Sequence, residues 1–140
     1  MALRHQHIVD QFFSAVSMQD FPSIREVTAD DVNWYFMGQH PLAGVKKGIH
    51  EVVSFFSAMS ALMHAGKPDI KKLIVCENEN HLIECIHSVT HREDGLSLDH
   101  HACVLWTFAN DKIVEGRHFF ADPLAVDAYF NAVAEANMKS

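Results

Sequence analysis

The sequence predicts an α+β fold in which a curved antiparallel β-sheet wraps around N-terminal helices and forms a cone with an internal cavity. Two observations predict this fold. Apolar residues recur at helical spacing in the first half of the chain, and from residue 69 the period changes to two, which is typical of strands. Helices that precede a run of hairpin-connected strands are typical of an α+β domain. The length suits one domain, residues 1–140.

Two helices are predicted at the start of the chain. Residues 3–18 form the first helix, because Ile8, Phe12 and Val16 recur at helical spacing. The segment FPSIREV forms a short second helix, with Pro22 in the first turn, where proline is favoured.

A strand and a third helix are predicted next. The segment DVNWYFMG has the character of a strand, and the loop GQHPLAGVKKG follows it because glycine and proline interrupt regular structure there. The third helix extends from residue 49 to residue 64, since its apolar residues recur at helical spacing. These apolar residues are Val52, Val53, Phe56, Met59 and Met63.

Four further strands are predicted in the second half of the chain. They are DIKKLIVCE, HLIECIHSVTHR, LSLDHHACVLWTF and KIVEGRHFFA. The polar segments NEN, EDG and AND separate them at hairpin distances, which predicts an antiparallel meander. A last short helix begins in ADPLAVDAYF, with Asp122 as its N-cap and Pro123 as its first residue.

Composition argues against several classes of partner. The net charge is −7 and no basic patch is present, so we expect no nucleic acid. No apolar run is long enough for a membrane span or, in MALRHQHIVDQFF, for a signal peptide, so we expect no membrane. The three cysteines lie in predicted strands without metal-ligand spacing, which favours a reducing cytoplasm.

Two segments resemble a known family. WYFMGQHPLAG resembles the W-x-F-x-G…P-x-x-G opening of the SnoaL-like polyketide cyclase proteins, and DKIVEGRHFFADPLAVDAYF resembles their closing strand and C-terminal segment. The order of elements resembles the wider superfamily of nuclear transport factor 2, ketosteroid isomerase and limonene-epoxide hydrolase. The resemblance implies the cone of that superfamily, also called cystatin-like. It implies no single reaction, because this fold hosts isomerases, cyclases, hydrolases and non-catalytic binders.

The resemblance also implies which residues line the cavity. The catalytic aspartate on the closing strand of the epoxide hydrolases falls on His118, and their Arg-x-Asp pair falls on His87 and Val89. Because these three positions hold His118, His87 and Val89, the catalytic Asp-Arg-Asp triad is not kept. One of the pocket aliphatics of the epoxide hydrolases falls on His100. The tyrosine and asparagine on their first strand fall on Trp34 and Phe36. Alternation along the strands adds further residues on the side that the resemblance selects as the cavity side. The expected ligand-binding residues are Trp34, Phe36, Val89, Ala102, Trp106 and Phe120.

Histidine is the expected acid–base residue of this cavity. Because histidine exchanges protons near neutral pH, His118 is the expected proton acceptor, with His87 or His100 as donor or orienting partner. Asp122 is a further catalytic candidate, since SnoaL-type cyclases use an aspartate near the end of this strand, although capping alone explains it. The alternative is that the inward histidines are hydrogen-bonded core residues.

No metal or other cofactor is expected. His100 and His101 are adjacent in sequence, but neighbours on a strand face opposite sides of the sheet. A site made of His87, His100 and His118 would have no carboxylate beside it on the predicted face, whereas zinc sites usually have three or four protein ligands.

Two classes of function remain open. The first is a cofactor-independent isomerase, cyclase or lyase that acts on a small apolar molecule, ring-containing or polyketide- or steroid-like, by histidine acid–base chemistry. The second is a non-catalytic binder of such a molecule or a dimeric scaffold. A homodimer is expected in either case, because the outward sheet face carries apolar residues. These residues are Cys103, Leu105, Ile113 and Phe119.

Overall fold

The computed structural model describes residues 3–139, and this range contains four helices and six strands. In chain order they are α1 (Arg4–Ser17), α2 (Phe21–Val27), β1 (Thr28–Phe36), β2 (Gly44–Lys47), α3 (Gly48–Ala65), β3 (Asp69–Glu77), β4 (His81–His91), β5 (Ser97–Ala109), β6 (Lys112–Phe120) and α4 (Pro123–Lys139). The predicted α+β order is confirmed. The short strand β2 was not expected, since it lies in a segment predicted as a loop.

The six strands form one sheet in the order β2-β1-β6-β5-β4-β3. The strands β3 to β6 form the antiparallel meander that the sequence predicts. The pair β1 and β6 is parallel, which differs from the wholly antiparallel sheet that we expected. Strand β2 pairs with one edge of β1, and β6, the last strand of the meander, lies along the other edge and runs in the same direction as β1.

The helices begin and pack as their sequences dictate. The side chain of Asp20 caps α2 by accepting the backbone N–H of Ser23 at 3.3 Å. Helix α1 buries one stripe that includes Val9 and Phe12, and α3 buries Val52 and Phe56. The residues of such a stripe recur about once per helical turn, and an apolar surface must cover them.

Within residues 3–139 no helix is long and apolar enough to cross a bilayer.

A β-bulge changes the side to which one predicted outward residue points. Thr107 of β5 pairs with Glu115 of β6, whereas the next residue, Phe108, pairs with Ile113. Val114 is therefore an extra residue on β6, and the alternation of faces is interrupted there. Ile113 consequently lies in the core, 1% exposed, and the prediction that it belongs to the outer face is wrong.

A candidate ligand-binding cavity

A cavity of about 850 Å³ lies between the inner face of the sheet and helices α1, α3 and α4. This volume is in the range of small-molecule sites, roughly 300–1,000 Å³. Most of its wall is aromatic or aliphatic. Phe13 of α1 and Ile70 of β3 line it and are 42% and 50% exposed, and several lining residues of α3 are exposed as well, so the cavity opens to the surface beside these elements. The cavity is therefore partly open, which differs from the internal cavity that the sequence predicts.

The structure brings most of the predicted residues together in this cavity. The lining includes Trp34, Phe36, His100, Ala102, Trp106, His118 and Phe120. They come from three neighbouring strands, β1, β6 and β5, and they share the inner face of the sheet. Their catalytic or binding roles remain predictions, because a position on a cavity wall does not by itself assign a role.

Trp34 reaches across the sheet because Gly116 leaves room for it. These two residues pair on the parallel strands β1 and β6, and a Cβ built on Gly116 would lie 1.8 Å from Cζ3 of the indole. The indole packs edge-on against Phe56 and Trp106, with ring centroids 4.8 Å and 4.7 Å away. These contacts bury Trp34 and fix its ring plane.

The fixed indole of Trp34 determines the tautomer of His118. Trp34 Nε1 donates a hydrogen bond to His118 Nδ1 at 3.0 Å. Because an indole N–H can only donate, Nδ1 must carry the lone pair, and the proton of the neutral imidazole lies on Nε2. Within residues 3–139, no hydrogen bond is made by Nε2, and the half-buried imidazole lines the cavity. A bound molecule can therefore reach it from the cavity.

The environment of His118 keeps the imidazole neutral. Burial, with a smaller contribution from nearby His100, lowers the pKa of His118 to about 3. The half-buried ring lines the cavity, so a low-polarity ligand there would only add to this desolvation. At neutral pH the residue is thus a hydrogen-bond donor through Nε2. It is poorly suited to the role of proton acceptor that the sequence predicts for it.

His100 is the second histidine of the cavity wall. Its ring centroid lies 6.0 Å from that of Phe120, which also contacts His118 at 5.8 Å. Burial lowers the pKa of His100, although the negative charge of Asp99 opposes this effect. Nδ1 of His100 is buried without a hydrogen-bond partner. A buried nitrogen without a partner is costly. The ring also has a hydrogen bond with the backbone of Ser88, which acts to raise its pKa.

The cavity also contains a carboxylate that the sequence did not predict. Glu84 is 6% exposed, and its Oε1 accepts a hydrogen bond from Trp106 Nε1 at 2.9 Å. Its Oε2 lies 2.9 Å from Nζ of Lys72, which lies on the neighbouring strand β3. The two tryptophans of the cavity therefore act alike, because each fixes one polar side chain with its indole N–H. The sequence signal was a glutamate in an otherwise apolar strand, HLIECI.

The predicted positions of His87 and Val89 in the cavity are wrong. On β4 the buried residues are Leu82, Glu84, Ser88 and Thr90, so the even positions face inward. The odd positions, which include His87 and Val89, face outward. The alternation of HLIECIHSVTHR predicts the strand, but both of its faces carry apolar residues, so the pattern does not decide which face is buried.

His87 instead belongs to a polar cluster on the outer face. Its Nε2 lies 2.6 Å from Oδ1 of Asp99, and its ring stacks on His101 with centroids 4.5 Å apart. The hydrogen bond to His87 lowers the pKa of the Asp99 carboxyl. These groups are separated from the cavity by the sheet, so they cannot contact a molecule bound there.

Asp122 does not reach the cavity. It is exposed at the start of α4, and its Oδ1 accepts the backbone N–H of Ala125 at 3.1 Å. This is the capping role that the sequence predicts for an aspartate before proline. Among residues 3–139, no group of three or more histidine, cysteine, aspartate or glutamate side chains is arranged to hold a metal ion.

Comparison with known proteins agrees with this architecture. An uncharacterised protein of Mycobacterium tuberculosis is 26% identical over 123 residues, which cover 88% of this chain and 93% of that protein. A structure described as an NTF2-like protein from Burkholderia xenovorans aligns with a TM-score of 0.74 at 19% identity, covering 91% of this chain and 96% of its own.

A second similar structure was obtained with a small molecule. TerC, co-crystallised with polyporic acid, aligns with a TM-score of 0.70 at 14% identity and covers 91% of this chain and 98% of its own. At such identities the two solved structures show a common fold. The model of the SnoaL-like domain matches residues 9–116, which is most of the chain. The chain belongs to the family of SnoaL-like domains.

Proposed function

We propose that this protein binds a small apolar, ring-containing molecule in its cavity, and that His118 donates a hydrogen bond from Nε2 to an oxygen of that molecule. The hydrogen bond from Trp34 Nε1 to His118 Nδ1 carries the proposal. It leaves Nε2–H as a fixed donor in an otherwise mostly apolar wall. A few placed polar groups among aromatic side chains are typical of small-molecule sites.

The composition of the wall supports a flat, ring-containing molecule. Phe56, Trp34, Trp106 and Phe36 present rings at several angles around the cavity, and aromatic pairs are favourable both stacked and edge-on. The similar TerC was crystallised with polyporic acid, which is consistent with a ligand of this kind in the shared fold.

The cytoplasm is our proposed compartment, since all three cysteines are free.

The binding proposal is tested with a matched pair of probes, 9-fluorenone and fluorene. The two have the same three-ring frame, but only fluorenone carries a carbonyl oxygen. Both tryptophans line the cavity, so binding is followed by quenching of their fluorescence. We expect fluorenone to bind roughly tenfold more tightly than fluorene, the value of one hydrogen bond in a mostly apolar site.

The variant His118→Leu keeps an apolar side chain of similar size but removes the donor. In this variant we expect the two probes to bind with equal affinity. Asp122→Asn is the matched control, because Asp122 lies outside the cavity, and it should keep the tenfold preference. The proposal fails if neither probe binds the wild-type protein, or if the preference for fluorenone survives in His118→Leu.

Proton transfer on the bound molecule is the second candidate function. His100 supports it, because it lies on the cavity wall and its imidazole, which burial keeps neutral by lowering the pKa, has a nitrogen lone pair that can accept a proton. A neutral His118 would then stabilise negative charge on a carbonyl oxygen, as fixed donors do in oxyanion sites. The reaction would be a cofactor-independent isomerisation, cyclisation or lyase step. Turnover that survives in His100→Phe would exclude His100 as the base.

We further propose a homodimer formed through the outer face of the sheet. Phe119 is 52% exposed there, beside the half-buried residues Leu105 and Cys103, and no helix of residues 3–139 covers them. Exposed apolar patches of this kind mark protein contacts. A contact of this face with the same face of a second copy would have two-fold symmetry.

A further inference from the structure

Two cysteines on the outer face of the sheet lie next to each other. Cys85 of β4 and Cys103 of β5 are directly opposite in the antiparallel register, and their Sγ atoms are 3.0 Å apart. Both are half-buried and neither is in a disulfide. We propose that this pair is an oxidisable dithiol, which forms a reversible intramolecular disulfide by exchange with low-molecular-weight disulfides such as glutathione disulfide.

The backbone already has the geometry that a disulfide needs. Residues directly opposite each other in an antiparallel pair have Cα atoms about 4.5–5.5 Å apart. A disulfide spans Cα atoms about 4.4–6.8 Å apart. Closure at Cys85 and Cys103 therefore requires rotation of the side chains but no shift of β4 against β5. The third cysteine, Cys76, lies opposite Ile83 and has no such partner.

The hydrogen bond between the two thiols indicates which sulfur reacts first. Cys103 donates its S–H to Sγ of Cys85. This hydrogen bond, together with burial, raises the pKa of the Cys103 thiol, which keeps Cys103 protonated. Since the thiolate is the attacking species, Cys85 is the nucleophile and Cys103 the resolving thiol.

The exchange has two steps. The Cys85 thiolate attacks one sulfur of glutathione disulfide, which forms a mixed disulfide and releases one glutathione thiolate. Cys103 then loses its proton and attacks Sγ of Cys85, which forms the protein disulfide and releases the second glutathione thiolate. Two protein thiols are oxidised, glutathione disulfide is reduced to two glutathione molecules, and the released thiolates take up the two protons.

The disulfide would join the two strands that carry one wall of the cavity. The adjacent register pair, Glu84 and Val104, points to the other face of the sheet and lines the cavity. The thiols also lie in the surface that we propose for the homodimer. The test is therefore made at redox equilibrium, where restricted access changes the rate of exchange but not the product.

The experiment uses the Cys76→Ser variant, in which Cys85 and Cys103 are the remaining cysteines. The folded protein is equilibrated with mixtures of glutathione and glutathione disulfide, quenched with acid, alkylated and digested with trypsin. Cleavage after Lys72, Arg92 and Lys112 places Cys85 in residues 73–92 and Cys103 in residues 93–112. We expect these two peptides to be linked, in a chain that keeps the monomer position on a non-reducing gel.

Two comparisons make the result decisive. The first comparison is between the folded chain and the same chain unfolded in guanidinium. Because folding brings the sulfur atoms together, we expect the folded chain to be half-oxidised at a glutathione disulfide concentration roughly tenfold lower. Adding Cys85→Ala or Cys103→Ala to Cys76→Ser should leave a mixed disulfide with glutathione as the product of oxidation. The proposal is overturned if Cys76→Ser gives only glutathione adducts or chain-to-chain disulfides, or if folding does not favour closure.

Discussion

The indole ring of Trp34 occupies the space above Gly116, so that a Cβ at position 116 would lie 1.8 Å from Cζ3 of the ring. The absence of a side chain at one position of β6 is thus the reason that Trp34 can extend across the sheet to the imidazole two residues further on. A glycine of this kind affects the site through a neighbour, although it contacts no ligand itself.

Gly116→Ala should therefore disturb the site through Trp34. The added methyl group forces the indole to move, and overpacking of this kind costs about 1–3 kcal/mol of unfolding free energy. We expect that loss in urea unfolding, together with a changed near-ultraviolet circular dichroism spectrum. Gly95→Ala is the control, because its Cβ would meet no atom within 4 Å, although its φ of +91° is unfavourable for alanine. An unchanged tryptophan signal in Gly116→Ala would contradict the prediction.

The tautomer of His118 should depend on one indole N–H. Trp34→Phe keeps a ring but removes the donor to Nδ1, whereas Trp106→Phe removes the donor to Glu84. We expect ¹⁵N spectra of the wild type and of Trp106→Phe to show the proton of His118 on Nε2. In Trp34→Phe the spectra should show a mixture of the two tautomers. If both variants give the wild-type pattern, Trp34 does not fix the ring.

The low pKa of His118 should appear in the stability of the protein at acidic pH. Above pH 6.5, the ordinary pKa of histidine, the ring is neutral in both the folded and the unfolded chain, so it adds no pH dependence. Between pH 6.5 and about 3 the unfolded chain binds a proton that the folded chain does not. The free energy of unfolding then falls as the pH falls, by up to about 1.4 kcal/mol per pH unit.

His118→Leu isolates this contribution from those of the other titrating groups. In the variant the indole N–H of Trp34 has lost its acceptor, and this loss lowers the free energy of unfolding by an amount that hardly changes with pH. We expect its free energy of unfolding to fall less steeply with acid than that of the wild type, so that the two curves converge. Parallel curves from pH 7 to pH 4 would show that His118 titrates normally.

The homodimer should depend on Phe119. Phe119→Asp places a charge beside Cys103, in the apolar part of the outer face. We expect this variant to be monomeric by light scattering at micromolar concentration. Leu124→Asp is the matched control, since Leu124 is 79% exposed on α4, away from this face. A wild-type protein that is itself monomeric, or a Phe119→Asp variant that remains dimeric, would contradict the proposed interface.

The alternation in the sequence determined where the strands lie, but not always which way they face. On β5 the inward positions of His100, Ala102 and Trp106 were predicted correctly. On β4 the prediction of the inward face was wrong. A period of two is a local property of the chain, whereas the face that points inward depends on what covers each side of the sheet. At Val114 a bulge interrupts the alternation itself, and only the pairing with β5 reveals it.

By itself the sequence determined the family, the position of His118 in the cavity wall and the order of the elements other than β2. Hydrophobic periodicity, turn residues and closing-strand motifs are all local properties of the chain. The tertiary structure decided the chemistry of the site. The tautomer of His118 is set by Trp34, which is 84 residues away along the chain, and Glu84 is held by Trp106 and Lys72 from two other strands. Hydrogen bonds and burial join residues that are distant in sequence, and so no local pattern contains them.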